Sequence, residues 1–306
     1  MARQRIDENS SPAESGVRRV KTGALNRPLE PGARIGRYEV CRLIGAGATA
    51  HVYAAVSPDG ERVAIKLLRG EFARSAELRR RFELEGRVLR ALESPNVPHW
   101  VASGATHGEI PFIAMELARG QSLLDRLKKG PVPLSETVEI GRQLLLALEH
   151  MHERCLIHCD VKPSNILIEP QASGALRVKL IDFGLCALAG FRDPTKRPRG
   201  TLAYMSPKQL LCKPLDELTD VYSAAAVLYT ALAGRRPYQC ETRRATFESM
   251  LCDEIPPISM FRPGCPREIE SVVMRGLSRR RDARHASAHA MRLCWMRAAQ
   301  VRSLAA

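Results

Sequence analysis

No part of this chain of 306 residues is apolar for long enough to span a bilayer. The longest apolar run, Ala224 to Gly234, falls far short of the roughly 20 residues a membrane helix requires. The first 36 residues hold no apolar core of the kind a secretory leader needs. Nine cysteines are scattered without one C-x-x-C pair, so reduced thiols in a cytoplasmic protein are expected. Acids are the scarce charge: 33 Asp and Glu stand against 47 Lys and Arg, a formal net charge of +14. That excess invites a nucleic-acid reading, but no base-reading motif accompanies it. No repeat or accessory domain is expected to follow the main folded region.

What the chain does contain is concentrated chemistry. Residues 158–165 read His-Cys-Asp-Val-Lys-Pro-Ser-Asn, and seventeen residues after Asn165 comes Asp182-Phe183-Gly184. Two carboxylates and a carboxamide at this spacing can hold a hydroxyl, a divalent cation and a triphosphate in line for phosphoryl transfer. An isolated Asp-Phe-Gly reads as a turn; the ordered pair of motifs does not. Upstream, Ile44-Gly45-Ala46-Gly47-Ala48-Thr49-Ala50-His51-Val52 joins two apolar runs, Tyr38 to Leu43 and Val52 to Val56, that read as a hairpin. Glycines at 45 and 47 let its backbone approach phosphates without interference from a Cβ. Val63-Ala64-Ile65-Lys66 then forms a strand ending in one cation. Alone, such a lysine is expected to face solvent. Four pieces in this order outweigh that expectation.

With these motifs the chain resembles the eukaryotic-type (Hanks-type) serine/threonine protein kinases, in the wording used by bacterial members. The resemblance covers about residues 37 to 300. It implies an α+β, two-lobed protein kinase fold, with a small, mainly antiparallel β N-lobe carrying helix C and a larger, mainly helical C-lobe. Residues 1–36 are expected to be a basic polar tail and disordered, 37–117 the N-lobe and hinge, and 118–302 the C-lobe. Glu77 to Leu92 is helical in period, with Phe82, Val88, Leu89 and Leu92 as its apolar stripe.

The resemblance also implies the site. ATP and Mg2+ would be bound, with Mn2+ as a substitute. Gly45, Ala46 and Gly47 would cover the phosphates. Lys66 would hold the α/β end and be fixed by Glu85. Met115 would be the gatekeeper, with backbone groups of Glu116 and Ala118 at the adenine edge. Ile44, Val52, Ala64 and Leu167 would enclose the purine. Asp160 would orient or deprotonate the substrate hydroxyl, and Lys162 would neutralise charge on the moving phosphoryl group. Asn165 and Asp182 would hold the metal. Gly200 to Pro207 resembles the segment closing the activation loop. Asp220-Val221-Tyr222-Ser223 and the apolar stretch to Leu232 resemble helix F, followed by the turn Gly234 to Tyr238.

Several positions depart from the family pattern. Ala50 replaces the third glycine of the loop. Cys159 replaces the arginine that reads a phosphate on the activation loop, so loop ordering should not need that phosphate, or should be switched in another way. Thr195 and Thr201 are candidate autophosphorylation sites, and Thr201 is also placed to support Asp160 through its hydroxyl. Lys208 replaces a glutamate that would pair with Arg284. A buried Lys–Arg contact at about 4 Å would cost on the order of 4 kcal/mol at an effective dielectric of about 20. Lys208 is therefore expected to swing to solvent, leaving Asp282 or Asp216 to take Arg284. Ala225 stands where helix F has glycine. Cys159 and Cys186 are candidates for a redox pair, against the alternative of two inert buried thiols.

Ser164 and Ser122 occupy positions where kinases preferring basic peptides carry acids. With Lys128, Lys129, Arg192, Lys196, Arg197 and Arg199 nearby, a protein substrate neutral or acidic around its Ser or Thr is expected. Arg279 to Arg302 carries seven arginines against one Asp and reads as a basic amphipathic helix with the stripe Met291, Cys294 and Trp295. Two other functions stay open: a pseudokinase acting as a nucleotide-binding scaffold, motivated by Cys159, Ala50 and Lys208, and a small-molecule kinase.

Overall fold

The computed structural model describes residues 27–190 and 200–303. Thr195, the basic residues 192–199 and residues 1–26 lie outside that range. The described residues form two compact units: one holds those up to Arg79 with Ala102–Ala114, the other Arg80–Val101 with Met115 onward. Residues 80–101 belong with the second unit, where Asn96 Nδ2 donates to Gln143 Oε1 at 2.7 Å and to Val178 O at 2.8 Å.

The first unit holds all or most of each of six strands: β1 (Arg34–Ile35), β2 (Tyr38–Ala46), β3 (Ala50–Val56), β4 (Arg62–Leu68), β5 (Trp100–Ala105, from Ala102 on) and β6 (Pro111–Glu116, up to Ala114), in the order β1-β2-β3-β4-β6-β5. Alternation puts Tyr38, Val40, Tyr53, Val63 and Ile65 inside, as period-2 patterning requires. The expected tail ends early. Ile35 is fully buried, β1 pairs with β2, and the Leu29 N–H donates to Tyr53 Oη at 3.1 Å. Ordered structure thus begins before residue 37, because Ile35 gives this polar stretch one side chain worth burying.

Helix α1 (Ala76–Ala91) buries Phe82, Glu85, Val88 and Leu89. The second unit continues with β7 (Gln121–Ser122), α2 (Leu123–Leu127), α3 (Leu134–His152), β8 (Leu156–Ile157), β9 (Ile166–Pro170), β10 (Leu176–Leu180) and β11 (Ala187–Leu188). After the undescribed segment come α4 (Pro207–Leu210), α5 (Leu218–Ala233), α6 (Arg243–Cys252), α7 (Arg267–Gly276) and α8 (Ala288–Ser303). Every residue of α5 is buried, which identifies it as the core about which the helices pack. It stops at Gly234, whose φ of +73° closes the last turn with an N–H bond to Thr230 O at 2.9 Å.

Two glycines make room for larger partners. A Cβ on Gly276 of α7 would lie 2.6 Å from the Cβ of Ala225, so the methyl that replaces a family glycine on α5 is matched by a missing one on α7. A Cβ on Gly141 of α3 would meet Trp295 Nε1 at 2.6 Å. Met291 and Trp295 are fully buried, and Trp295 Nε1 donates to Val138 O at 2.9 Å. The arginine-rich C-terminal helix is thus docked on the second unit by its apolar stripe. Among the described residues, no helix is long and apolar enough to cross a membrane.

Candidate active site

In the second unit, β8 leads into residues 158–165 and β9 leads out. One buried carboxylate fixes the loop between them. Asp220, in the first turn of α5, accepts from His158 N at 2.7 Å and from Cys159 N at 2.9 Å, and meets His152 Nε2 at 3.0 Å. Cys159 takes φ +65° and Asp182 φ +68°, a region costly for residues other than glycine and sustained only where the surroundings over-determine the backbone. The pair of N–H bonds to Asp220 is that over-determination at Cys159.

His158 is a packing and hydrogen-bonding residue. Its Nδ1 accepts from Asp160 N at 3.3 Å, its Nε2 donates to Ile181 O at 3.3 Å, and its ring stands edge-on to Phe183 at 5.4 Å. Burial depresses its pKa despite the nearby carboxylates of Asp220, Asp160 and Asp182. The ring is therefore neutral and ties the segment carrying Asp182 to the loop carrying Asp160.

Three groups converge on the Asp160 carboxylate. Lys162 Nζ donates to Oδ2 at 2.6 Å, Asn165 Nδ2 to the same oxygen at 3.3 Å, and Thr201 N to Oδ1 at 3.3 Å. Asn165 Nδ2 also donates to Asp160 O at 3.0 Å. Both amide hydrogens of Asn165 point at Asp160, so its Oδ1 is turned away as a spare oxygen ligand. Gly200 is needed beside this carboxylate. Its φ is +111°, and a Cβ there would sit 3.1 Å from Asp160 Oδ1. The expected support from the Thr201 hydroxyl is replaced by its backbone N–H, which the 3₁₀ turn beginning there leaves without a helical partner.

Among the described residues, no cluster of three His, Cys, Asp or Glu side chains could hold a metal. Asn165 Oδ1 and the Asp182 carboxylate could offer two oxygen ligands, a number that would suit a cation keeping most of its waters.

In the first unit, Gly45 and Gly47 lie at the β2–β3 turn, where Gly47 N donates to Ala50 O at 2.9 Å. Arg69 steadies the turn from below, donating from N to Thr49 O at 2.9 Å and from Nη1 to Ala48 O at 3.3 Å. Ala50 is buried in the hairpin opposite Leu68, so the methyl replacing the third glycine points into packing and away from the loop tip. Ile44 is 38% exposed and is not a core residue. Val52 is half-buried, Ala64 is buried, and Lys66 on β4 pairs in register with Val52.

In the second unit, Glu85 is buried, while Met115, Glu116, Ala118 and Leu167 are half-buried. The Glu116 N–H donates to His99 O at 2.8 Å, and its carboxylate is taken by Lys179 Nζ at 2.6 Å. Among the described residues, the Ala118 N–H and C=O have no hydrogen-bond partner.

Two expectations fail. Lys208 does not swing to solvent, and Arg284 takes no acid. Lys208 Nζ binds Asp216 Oδ2 at 2.6 Å, and Arg281 Nε binds the same oxygen at 2.7 Å. Arg284 is buried on carbonyls instead, donating to Ser278 O at 2.7 Å, Leu218 O at 2.9 Å and Arg279 O at 3.3 Å, with its guanidinium 4.9 Å from the Tyr222 ring centre. A guanidinium has five donors and can be satisfied without a carboxylate, which is why moving the acid from 208 to 216 is tolerated.

β11 does run beside β8, as expected for the strand after Asp182. Even so, Cys159 and Cys186 are free thiols. Burial raises the pKa of both, and the charges of Asp220 and Asp160 add to this at Cys159. Neither is the thiolate that disulfide exchange requires.

Two contacts that fix the loop are not evident from the sequence. Asp220 is marked there only as the start of the segment resembling helix F, and nothing in its neighbours signals its bonds to the loop. Gln209 did carry a signal, since Ser206-x-x-Gln209 is a capping-box pattern. Its Oε1 accepts from Ser206 N at 3.0 Å while Nε2 donates to Cys159 O at 2.6 Å.

The family model for the protein kinase domain matches residues 38–296. Serine/threonine-protein kinase PknH of Mycobacterium tuberculosis (strain ATCC 25618 / H37Rv) is 33% identical over 261 residues, covering 84% of this chain and 41% of that protein. Serine/threonine-protein kinase PrkC of Bacillus subtilis (strain 168) is 31% identical over 254 residues, covering 81% and 38%. The chain thus spans about two-fifths of the length of these curated relatives. The crystal structure of the Mycobacterium tuberculosis PknI kinase domain matches with a TM-score of 0.69 at 25% identity, over 89% of this chain and 100% of that one.

Proposed function

The chain belongs to the protein kinase domain family, and on that premise we propose that it transfers the γ-phosphoryl group of Mg-ATP to Ser or Thr hydroxyls of proteins. Membership implies a nucleotide and a divalent cation; magnesium, with manganese as a substitute, is our assignment. The observation that carries the proposal is the fixed Asp160 carboxylate. Lys162, Asn165 and the Thr201 N–H hold it beside the end of the activation segment, where a substrate hydroxyl would arrive.

Each residue then has a definable task. Asp160 accepts the hydroxyl hydrogen bond and orients the oxygen. Lys162, already 2.6 Å from Asp160, places a positive charge beside the path of the moving group. Asn165 Oδ1 and Asp182 would hold the cation, which when bound neutralises charge on the phosphate oxygens. Lys66 and the hairpin of Gly45, Ala46 and Gly47 serve the phosphates, and Ile44, Val52, Ala64, Met115 and Leu167 serve the purine. Ala118 offers its unspent N–H and C=O to the adenine edge, with the Glu116 C=O beside it. Glu85 is assigned to orienting Lys66. The transition state is loose, so fixed charges and positions account for the rate rather than covalent chemistry.

Because Cys159 carries no charge, ordering of the Asp160 loop depends on Asp220, Thr201 and Gln209 rather than on a phosphate. The substrate is proposed to be neutral or acidic around its acceptor. The one acid in the first turn after the hinge segment, Asp125, is occupied by Lys128 Nζ and Ser122 Oγ, each at 2.6 Å. Nine free cysteines support a reducing, cytoplasmic compartment for the catalytic region.

The test is incubation of the purified chain with labelled Mg-ATP and a mixed Ser/Thr protein substrate, beside Asp160→Ala. Transfer by the wild type and its loss in the variant are expected. Nucleotide binding without any transfer would replace this reading with a nucleotide-binding scaffold.

A further inference from the structure

We propose that Asp216 is a positioning residue for the Asp160 loop, acting by clamping α4 through Lys208 and Arg281. Its catalytic consequence rests on the phosphoryl-transfer reading; the clamp itself does not. Helix α4 has only four residues, and a single turn fixes several dihedrals for one hydrogen bond, so it does not hold its shape unaided. Its N-terminus is secured by the capping box of Ser206 and Gln209. Lys208, on the outer side, is secured by Asp216 Oδ2 at 2.6 Å.

Asp216 is itself anchored. Its Oδ1 accepts from Leu218 N at 3.1 Å and its C=O accepts from Thr219 N at 3.0 Å, which fixes it to the start of α5. Arg281 Nε adds a second cation on Oδ2 at 2.7 Å. These contacts outweigh the cost of partial burial and hold the Asp216 pKa below its ordinary value, so the group is charged at neutral pH. A single half-exposed ion pair is weak. Here one carboxylate serves two cations and a backbone N–H, and losing it would leave Lys208 and Arg281 facing each other.

From α4 the path continues inward. Gln209 Nε2 donates to Cys159 O at 2.6 Å, and Cys159 precedes Asp160. A displaced α4 therefore pulls on the carbonyl of a residue already held at φ +65°. Every contact in this path lies within the second unit. Because the acid sits at 216 while 208 is a cation, the clamp belongs to this sequence.

The experiment uses the full chain and three variants: Asp216→Asn, Lys208→Gln and the double variant Lys208→Gln/Asp216→Asn. Amide hydrogen exchange over residues 207–213 is measured by mass spectrometry without reference to activity. Steady-state phosphoryl transfer is measured in parallel. Asp216→Asn and Lys208→Gln are each expected to speed exchange at Leu210, Leu211 and Cys212 about fivefold, the scale of a small ion network. They should lower kcat by a similar factor, leave KM for ATP unchanged and leave β2–β4 amides unchanged. The double variant should lose no more than Asp216→Asn alone, since both changes break one contact. Unaltered protection in 207–213, a kcat loss without local exposure, or additive losses in the double variant would each overturn the proposal. If Asp216→Asn does not fold, Lys208→Gln and Arg281→Gln decide it. A wild type with no transfer at all would refute the activity reading, while the hydrogen-exchange result would still decide the clamp.

Discussion

Cys159 precedes the carboxylate on which catalysis is proposed to depend, and its thiol is buried with Sγ directed 3.6 Å toward Ile157 O. Burial and the neighbouring charges of Asp220 and Asp160 raise its pKa far above that of a free thiol. Cys265 is buried as well and pushed up to about 11. Thiolate is the reactive form, so brief iodoacetamide treatment of the native chain at pH 7.5 should alkylate the exposed Cys41, Cys155, Cys212, Cys240 and Cys252. Cys159 and Cys265 should stay unlabelled by peptide mass mapping until denaturant is added. Labelling of Cys159 at the rate of the exposed set would contradict the packing described for the loop. At this scale the sequence names the chemistry-bearing side chains well, because Asp160, Lys162 and Asn165 lie within one short loop. It is silent on where the Lys208 and Arg284 charges go. Lys208 is taken by a residue 8 positions away and Arg284 in part by one 66 positions away, and only the folded chain places them.

Elements were legible wherever the period was clean. The helix expected over Glu77 to Leu92 forms at Ala76–Ala91, and the hairpin strands form with longer arms than their apolar runs suggested. What periodicity does not reveal is fit between elements. The stripe of Met291, Cys294 and Trp295 marks the inner face of α8, but the glycine that receives Trp295 lies on α3, with nothing in its own neighbourhood to mark it. Gly141→Ala would place a methyl 2.6 Å from the Trp295 indole nitrogen, 2.7 Å from Cε2 and 2.9 Å from Cζ2. The indole cannot retreat without losing its 2.9 Å bond to Val138 O. Alanine is intrinsically the better helix former by about 1 kcal/mol, so a propensity argument alone predicts stabilisation. Overpacking of a filled core costs typically about 1–3 kcal/mol, and with a buried hydrogen bond also at stake the balance is destabilising. Urea denaturation should show Gly141→Ala less stable by about 1–2 kcal/mol; a gain would mean that α8 docks more loosely than described.

For the molecule as a whole, the strongest pH dependence near neutrality should come from two histidines sealed in the second unit. His158 and His285 are fully buried, and burial lowers the pKa of each below the ordinary 6.5. The acids Asp220, Asp160 and Asp182 oppose this at His158, and the Val272 C=O opposes it at His285, but desolvation dominates both. The unfolded chain therefore binds protons that the folded chain refuses. Stability is full above about pH 6.5 and declines as pH falls from there toward each folded pKa, with a limiting slope of about 1.4 kcal/mol per pH unit for each histidine. Carboxylates held low by ion pairs, Glu116 by Lys179 and Glu149 by Arg292 and His289, lose their contribution only below about pH 4.5, so the interval from 7.5 to 5.5 isolates the histidines. The chain provides its own probe, since both tryptophans, Trp100 and Trp295, lie in the second unit with these histidines. Urea transitions followed by tryptophan fluorescence should move to lower denaturant from pH 7.5 to 5.5. In His285→Gln the slope should flatten, because one of the refused protons is gone, whatever the substitution does to absolute stability. Transitions that hold steady or strengthen toward pH 5.5 would mean that His158 or His285 accepts its proton in the folded state, and that the neutral ring bridging the Asp160 loop to Ile181 is wrongly described.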